Sequence, residues 1–173
     1  MKVLLVSTYE LGHQPFGLAS PAAWLAEMGA EVSCLDLAVE TLDEEVIRAA
    51  ALIAVYLPMH TATRLASNIV PRIRALNPAA HLCFYGLYAS LNEAFLRTEL
   101  GGGTVLGGEF ESGLLGLYKR LSTNGPFALE PQSEPVISLN KQDFRVPQRS
   151  GLPQLSRYAY VDLGGHGRRR TVG

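Results

Sequence analysis

Cysteine is nearly missing from this sequence. Cys34 and Cys83 are the only two in 173 residues, and both lie inside apolar, strand-like runs. A structural disulfide is not expected; buried thiols in a reducing cytoplasm are the better reading, so the expected localisation is cytoplasmic. Two separated cysteines also cannot hold a four-iron four-sulfur (4Fe-4S) cluster, which takes four thiolates. Histidine is as sparse, with four scattered residues in no ligand spacing, and no metal site is expected. An excess of either charge is lacking too. The formal net charge of -1 gives no electrostatic case for nucleic acid or an anionic membrane as partner. Long hydrophobic runs are the last absence. The apolar stretch Val3 to Val6 gives way to Ser7 and Thr8, too short for a signal peptide or a membrane span.

What remains is a globular composition, 47% hydrophobic and 18% charged, enough for one sizeable core plus a tail. Lys2 to Ser7 is a near-continuous apolar run, the pattern of a central parallel strand covered on both faces. A long loop, Thr8 to Ala19, follows. Ser20-Pro21 then predicts a helix start, with the helix over Ala22 to Met28 and Gly29 as its stop. Glu31 to Asp36 and Ala51 to Tyr56 read as the next strands, with a short helix capped by Asp43 between them. From Thr61 a helical face runs to Leu76, with Pro71 expected to kink it and Asn77-Pro78 to end it. His81 to Tyr85 is the fourth strand, followed by a helix capped by Ser90 and running to Leu100.

The stretch that completes this pattern is Val105 to Glu111. A short apolar run feeds Gly107-Gly108, then Glu109-Phe110-Glu111, then an amphipathic helix carrying Leu114, Leu115, Leu117, Tyr118 and Leu121. Two readings of the turn stand side by side. One is a tight strand-to-helix turn with acidic capping; the other is a ligand edge where paired glycines let the backbone approach a large partner closely.

The alternation predicts an α/β fold over residues 1–121: a five-stranded, parallel, doubly wound sheet of flavodoxin-like, Rossmann type in strand order 2-1-3-4-5. Residues 122–173 form a proline-rich extension, with Pro126, Pro131, Pro135, Pro147 and Pro153, that wraps the domain or leads elsewhere. The arginines at 168–170 read as a solvated or partner-facing end. Thr171-Val172-Gly173 reads as an abrupt stop.

In this fold ligands bind at the carboxyl edge of the strands. The candidate binding residues are therefore Thr8, Tyr9, Glu10, Leu11 and Gly12; Leu57, Pro58, Met59 and His60; Gly86, Leu87 and Tyr88; and Gly107, Gly108, Glu109, Phe110 and Glu111. That mixture of glycines, small polar groups and apolar rings suits a large, flat ligand better than a compact phosphate. Met59 and Phe110, taken singly, are better read as packing residues. A phospho-acceptor receiver is excluded, because Tyr56-Leu57-Pro58 stands where its aspartate is needed. Ser7 to Gly12 is a poor flavodoxin-type phosphate loop, which leaves flavin or nucleotide binding as an alternative.

With these residues in view, the chain resembles the N-terminal cobalamin-binding domain of radical S-adenosylmethionine enzymes that carry one. The similarity rests on Lys2 to Ser7, on Gly29-Ala30-Glu31-Val32 leading to Asp36, and on the Gly-Glu-x-Glu turn after Gly107. Leu57 to Arg64 and Tyr85 to Ala89 are similar to a branch described by a cysteine- or selenocysteine-containing tail ending in Ala-Glu-Pro. The resemblance implies cobalamin as cofactor and the enzyme's radical barrel as partner, reached through the proline-rich Asp143 to Leu155. It also implies that the 4Fe-4S cluster and S-adenosylmethionine belong to a part absent from this sequence, since the three-cysteine motif is missing. The chain then reads as a fragment ending at a domain border, with no catalytic residues of its own. Cobalamin domains that ligate the metal with histidine carry Asp-x-His-x-x-Gly after the first strand, and the corresponding loop here is Glu10-Leu11-Gly12-His13-Gln14-Pro15-Phe16-Gly17. A loop-surface role for His13 is therefore expected ahead of cobalt ligation. The opposing hypothesis is a non-enzymatic interaction module that keeps the sheet and binds a protein.

Overall fold

A computed structural model describes residues 1–124, 134–162, 165 and 167–170. Five strands fall where the apolar runs predict: β1 (Lys2–Ser7), β2 (Glu31–Asp36), β3 (Leu52–Tyr56), β4 (His81–Tyr85) and β5 (Thr104–Gly108). They pair in parallel in the expected order, but the sheet has six strands, running 2-1-3-4-5-6. The five-strand expectation is corrected by β6 (Ile137–Ser138), a two-residue strand from the extension that pairs with Gly107 and Gly108. Two residues carry no readable period, which is why the sequence hides it.

Among the described residues six α-helices cover the faces: α1 (Phe16–Glu27), α2 (Glu44–Ala49), α3 (His60–Leu76), α4 (Leu87–Leu91), α5 (Glu93–Thr98) and α6 (Phe110–Asn124). Alternation along each strand divides the core in two. Leu4, Val6, Ile53, Val55, Leu82 and Phe84 face α2, α3 and α5; Val3, Leu5, Leu52, Ala54, Cys83 and Tyr85 face α1 and α6. The Asp43 cap is as expected, its carboxylate accepting from Glu45 and Val46 N–H.

Two helix starts differ from expectation. Helix α1 begins at Phe16, so Ser20 is buried inside it and Pro21 lies within it. Pro21 has no N–H to give the Gly17 carbonyl four residues back. The Tyr85 hydroxyl donates to that carbonyl instead, at 2.7 Å, so a proline that normally breaks a helix is tolerated here. The helix expected from Ser90 to Leu100 is two short ones separated at Asn92, and Ser90 sits inside the first, its hydroxyl bonded to the Leu87 carbonyl. Helix α3 runs through Pro71 to Leu76.

The extension does not simply leave the domain. Leu152 and Tyr158 are buried, Gln148 N–H donates to the Ala19 carbonyl, and Ala159 N–H donates to the Gly12 carbonyl. Residues 160–162 and 168–170 pair as an antiparallel hairpin, β7 (Tyr160–Asp162) and β8 (Arg168–Arg170). Pro126, Pro131 and Thr171-Val172-Gly173 lie outside the described residues. No helix among the described residues is long and apolar enough to cross a membrane.

Candidate functional site at the carboxyl rim

Parallel strands end together, so the loops after β1, β3, β4 and β5 meet at one rim. The predicted residues do not all serve there alike. Thr8 is buried, and its hydroxyl donates to the Ala62 carbonyl at 2.9 Å, tying the first loop to α3. Leu57 is wholly buried; its N–H donates to Tyr85 and its carbonyl accepts from Tyr88, so it is part of the frame. Phe110 packs with Tyr56 and Tyr85, ring centroids 5.9 and 5.0 Å away. Tyr56 in turn lies so close to α1 that any side chain at Gly17 would collide with its ring. Three rings therefore fill the space beneath the rim between the sheet and α1.

The rim's open face is made by others. Leu11 is 61% exposed in a left-handed conformation with φ of 52°, and Leu87 is 63% exposed at the start of α4. Pro58 and Met59 are half-buried, while His60 and Glu109 are exposed. Tyr9, Glu10, Gly12 and Tyr88 are half-buried around them, and Gly86 is buried. His13 is half-buried, its N–H donating to the Glu10 carbonyl.

The close backbone approach expected at the paired glycines is made by the chain's own extension. Gly107 N–H donates to the Val136 carbonyl and Glu109 N–H to that of Ser138. Gly108 has φ of 63°, and a Cβ there would overlap the Ser138 carbonyl oxygen. The slot beside these glycines is thus occupied by β6.

Electrostatics single out the end of β1. Burial, then the nearby Asp36 charge, pushes the Glu10 carboxyl up to about 7, against the pull of Arg149 and the Phe16 N–H. Asp36, at the end of β2, is also raised by burial, although it accepts from the Tyr158 hydroxyl at 2.8 Å and from Ala38 N–H. Ser7 Oγ and Glu10 Oε2 are both buried without a hydrogen-bond partner. Arg149 bonds the Gln14 side chain, whose amide donates to the Pro153 carbonyl, so the extension caps one side of the rim.

A cavity of about 340 Å³ opens beside the start of α6, lined by α1 and residues 139–145 of the extension. Within it Glu111 is buried and accepts from the Ser20 hydroxyl at 2.7 Å. Sequence reasoning missed Ser20 in this role, and Asp36, Gln142, Arg145 and Tyr158 altogether, since the contacts span up to 122 residues and leave no local pattern. Among the described residues no group of three or more His, Cys, Asp and Glu could hold a metal ion. Compared with protein-family models and with curated proteins, the chain matches none.

Proposed function

We propose that this flavodoxin-like domain binds cobalamin across its carboxyl rim and presents it to a radical S-adenosylmethionine barrel. The observation that carries the reading is the pair of buried, unpartnered atoms at the end of β1, Ser7 Oγ and Glu10 Oε2. Buried polar atoms nearly always have partners, so two orphans at the edge where this fold binds ligands call for one. A corrin laid on the rim fits the residues present. Leu11 and Leu87 offer an apolar floor, while the Ser7 hydroxyl and a protonated Glu10 can bond its amide arms. A nucleotide tail threaded beside Gly107 and Gly108 does not fit, because β6 fills that route and Tyr56, Tyr85 and Phe110 fill the interior.

Cobalamin would supply an organometallic centre for methyl transfer or rearrangement in the full enzyme. This chain's residues would bind and orient it; we assign none a catalytic role, and the 4Fe-4S cluster and S-adenosylmethionine to the barrel. The extension's outward residues Phe144 and Val146, about nine-tenths exposed, are the surface we assign to that barrel. Cys34 and Cys83 are free, in keeping with the reducing cytoplasm we propose for it.

Titration with hydroxocobalamin, followed by absorbance, tests the proposal. Saturable binding is expected, weakened by Leu11→Asp and Leu87→Asp, whose exposed positions spare the core. Absence of saturable binding, or unchanged binding in both variants, refutes it. Capture of a protein by a chain that ignores cobalamin would favour an interaction module.

A further inference from the structure

The cavity between α1 and the extension carries unmet chemistry of its own. The Gln142 side-chain oxygen and nitrogen are both buried without partners, and so is Arg145 Nη1. Arg145 Nε is already committed to Glu27 at 3.1 Å, and its guanidinium lies 3.7 Å over the Trp24 ring. Its position is therefore fixed while one donor nitrogen is left over. Gln142, Arg145, Trp24, Phe16, Ser20 and Glu111 all line this cavity, whose volume of about 340 Å³ suits a small ligand. Leaving a buried amide and a guanidinium N–H unpaired costs free energy, and such atoms in a folded chain are expected to have a partner.

We infer that this cavity is a binding site for a small zwitterion of amino-acid size with an apolar side chain. Arg145 Nη1 and the Gln142 amide nitrogen need an acceptor, which a carboxylate supplies. The Gln142 carbonyl needs a donor, which an ammonium supplies, and the Glu111 carboxylate lining the same space complements its charge. Phe16 and Trp24 give the apolar side chain a wall. A phosphorylated ligand is disfavoured, because Glu109 and Glu111 line the same space. The site holds whether or not the rim takes a corrin.

Trp24 is the chain's single tryptophan, so its fluorescence reports on this cavity alone. The probes are leucine, leucinamide, which lacks the carboxylate, and N-acetylleucine, which lacks the ammonium. Leucine is expected to change the emission saturably. Both blocked probes should bind at least about tenfold more weakly, one charged hydrogen bond being lost in each case. Gln142→Ala, in the extension and outside the core, should weaken leucine by a similar factor at an unchanged melting temperature. If Gln142→Ala lowers the melting temperature, the probe ranking on the parent chain decides alone. Emission unchanged up to about 10 mM leucine would mean a cavity filled by water only, and would overturn the inference. Equal binding of all three probes would overturn it as well.

Discussion

The two ends of the sheet treat their buried polar groups in opposite ways. At the amino edge they are paired. Asn77 donates to the carbonyls of Ile47, Arg48 and Ala50 and accepts from Ala80 N–H. His81 bonds the Thr104 hydroxyl, also buried, and in the exposed turn before β5 Arg97 and Arg74 bond the Gly103 and Gly101 carbonyls. At the carboxyl edge Ser7 and Glu10 are left with unpaired atoms, and Leu11 and Leu87 face outward. A turn whose polar atoms are all satisfied needs only its own chain. A rim with orphaned atoms is incomplete by itself, and that difference supports the ligand site we propose at this end.

The contrast is broken most severely at Asn77. One side chain there serves three carbonyls and an N–H, and alanine would leave buried groups unpaired. The expected loss is about 2–4 kcal/mol, or roughly 5–15 °C in melting temperature. Cobalamin titration of the folded variant should be unaffected. A loss of ligand binding equal to the loss of stability would mean that the two edges are not separable.

Gly108→Ala is expected next in size. A Cβ at its positive φ meets the Ser138 carbonyl, so alanine should cost about 1–3 kcal/mol and loosen β6. Amide exchange at Gly107 and Glu109, whose N–H groups bond β6, should speed up while β1 and β3 stay protected. Unchanged exchange at both would show that β6 does not depend on this glycine.

Tyr85→Phe removes the hydroxyl that serves the Gly17 carbonyl, at an expected cost of about 1–2 kcal/mol. The cost should shrink when Pro21→Ala restores an N–H within reach of that carbonyl, and a double-mutant cycle measures the coupling. Strict additivity would sink this account of the helical proline.

The same residues show what a sequence can and cannot disclose. β1, β3 and β4 were legible because strands covered on both faces are continuous apolar runs. The rim followed from topology alone. Ser20-Pro21 looked like a helix start because a serine followed by proline is the local pattern of one, although α1 already begins at Phe16. Ser20's real partner, Glu111, is 91 positions away, and Tyr85, which serves the Gly17 carbonyl that Pro21 leaves free, is 68 positions from that glycine; no period in the chain points to either. The turn at Gly107-Gly108 was legible as a place of close backbone approach, but its occupant was not, since β6 is two residues of the extension.

The smallest effect expected is also the one that sets the two edges against each other with pH. Burial, then the Asp36 charge, holds the Glu10 carboxyl near 7 in the folded chain, against an ordinary value of 4.5. The folded state therefore binds this proton more tightly than the unfolded one. The stability it contributes is complete below 4.5 and is lost as pH rises through about 7. At the amino edge, burial, then Arg120, pushes the His81 imidazole down to about 4 from 6.5. The unfolded state binds that proton more tightly, so its contribution is present above 6.5 and is lost as pH falls toward 4. Between 4.5 and 6.5 the two oppose each other, and above 6.5 only the Glu10 slope remains. Glu10→Gln keeps a neutral hydrogen-bonding side chain and cannot ionise. It should melt above the parent at pH 8, by a margin that narrows steadily toward pH 5. Because Glu10 is half-buried, water screens part of the effect, and the margin should be smaller than those of the three variants above. A margin that is equal at both pH values, or a variant that melts below the parent at pH 8, would show that Glu10 is already paired at the rim.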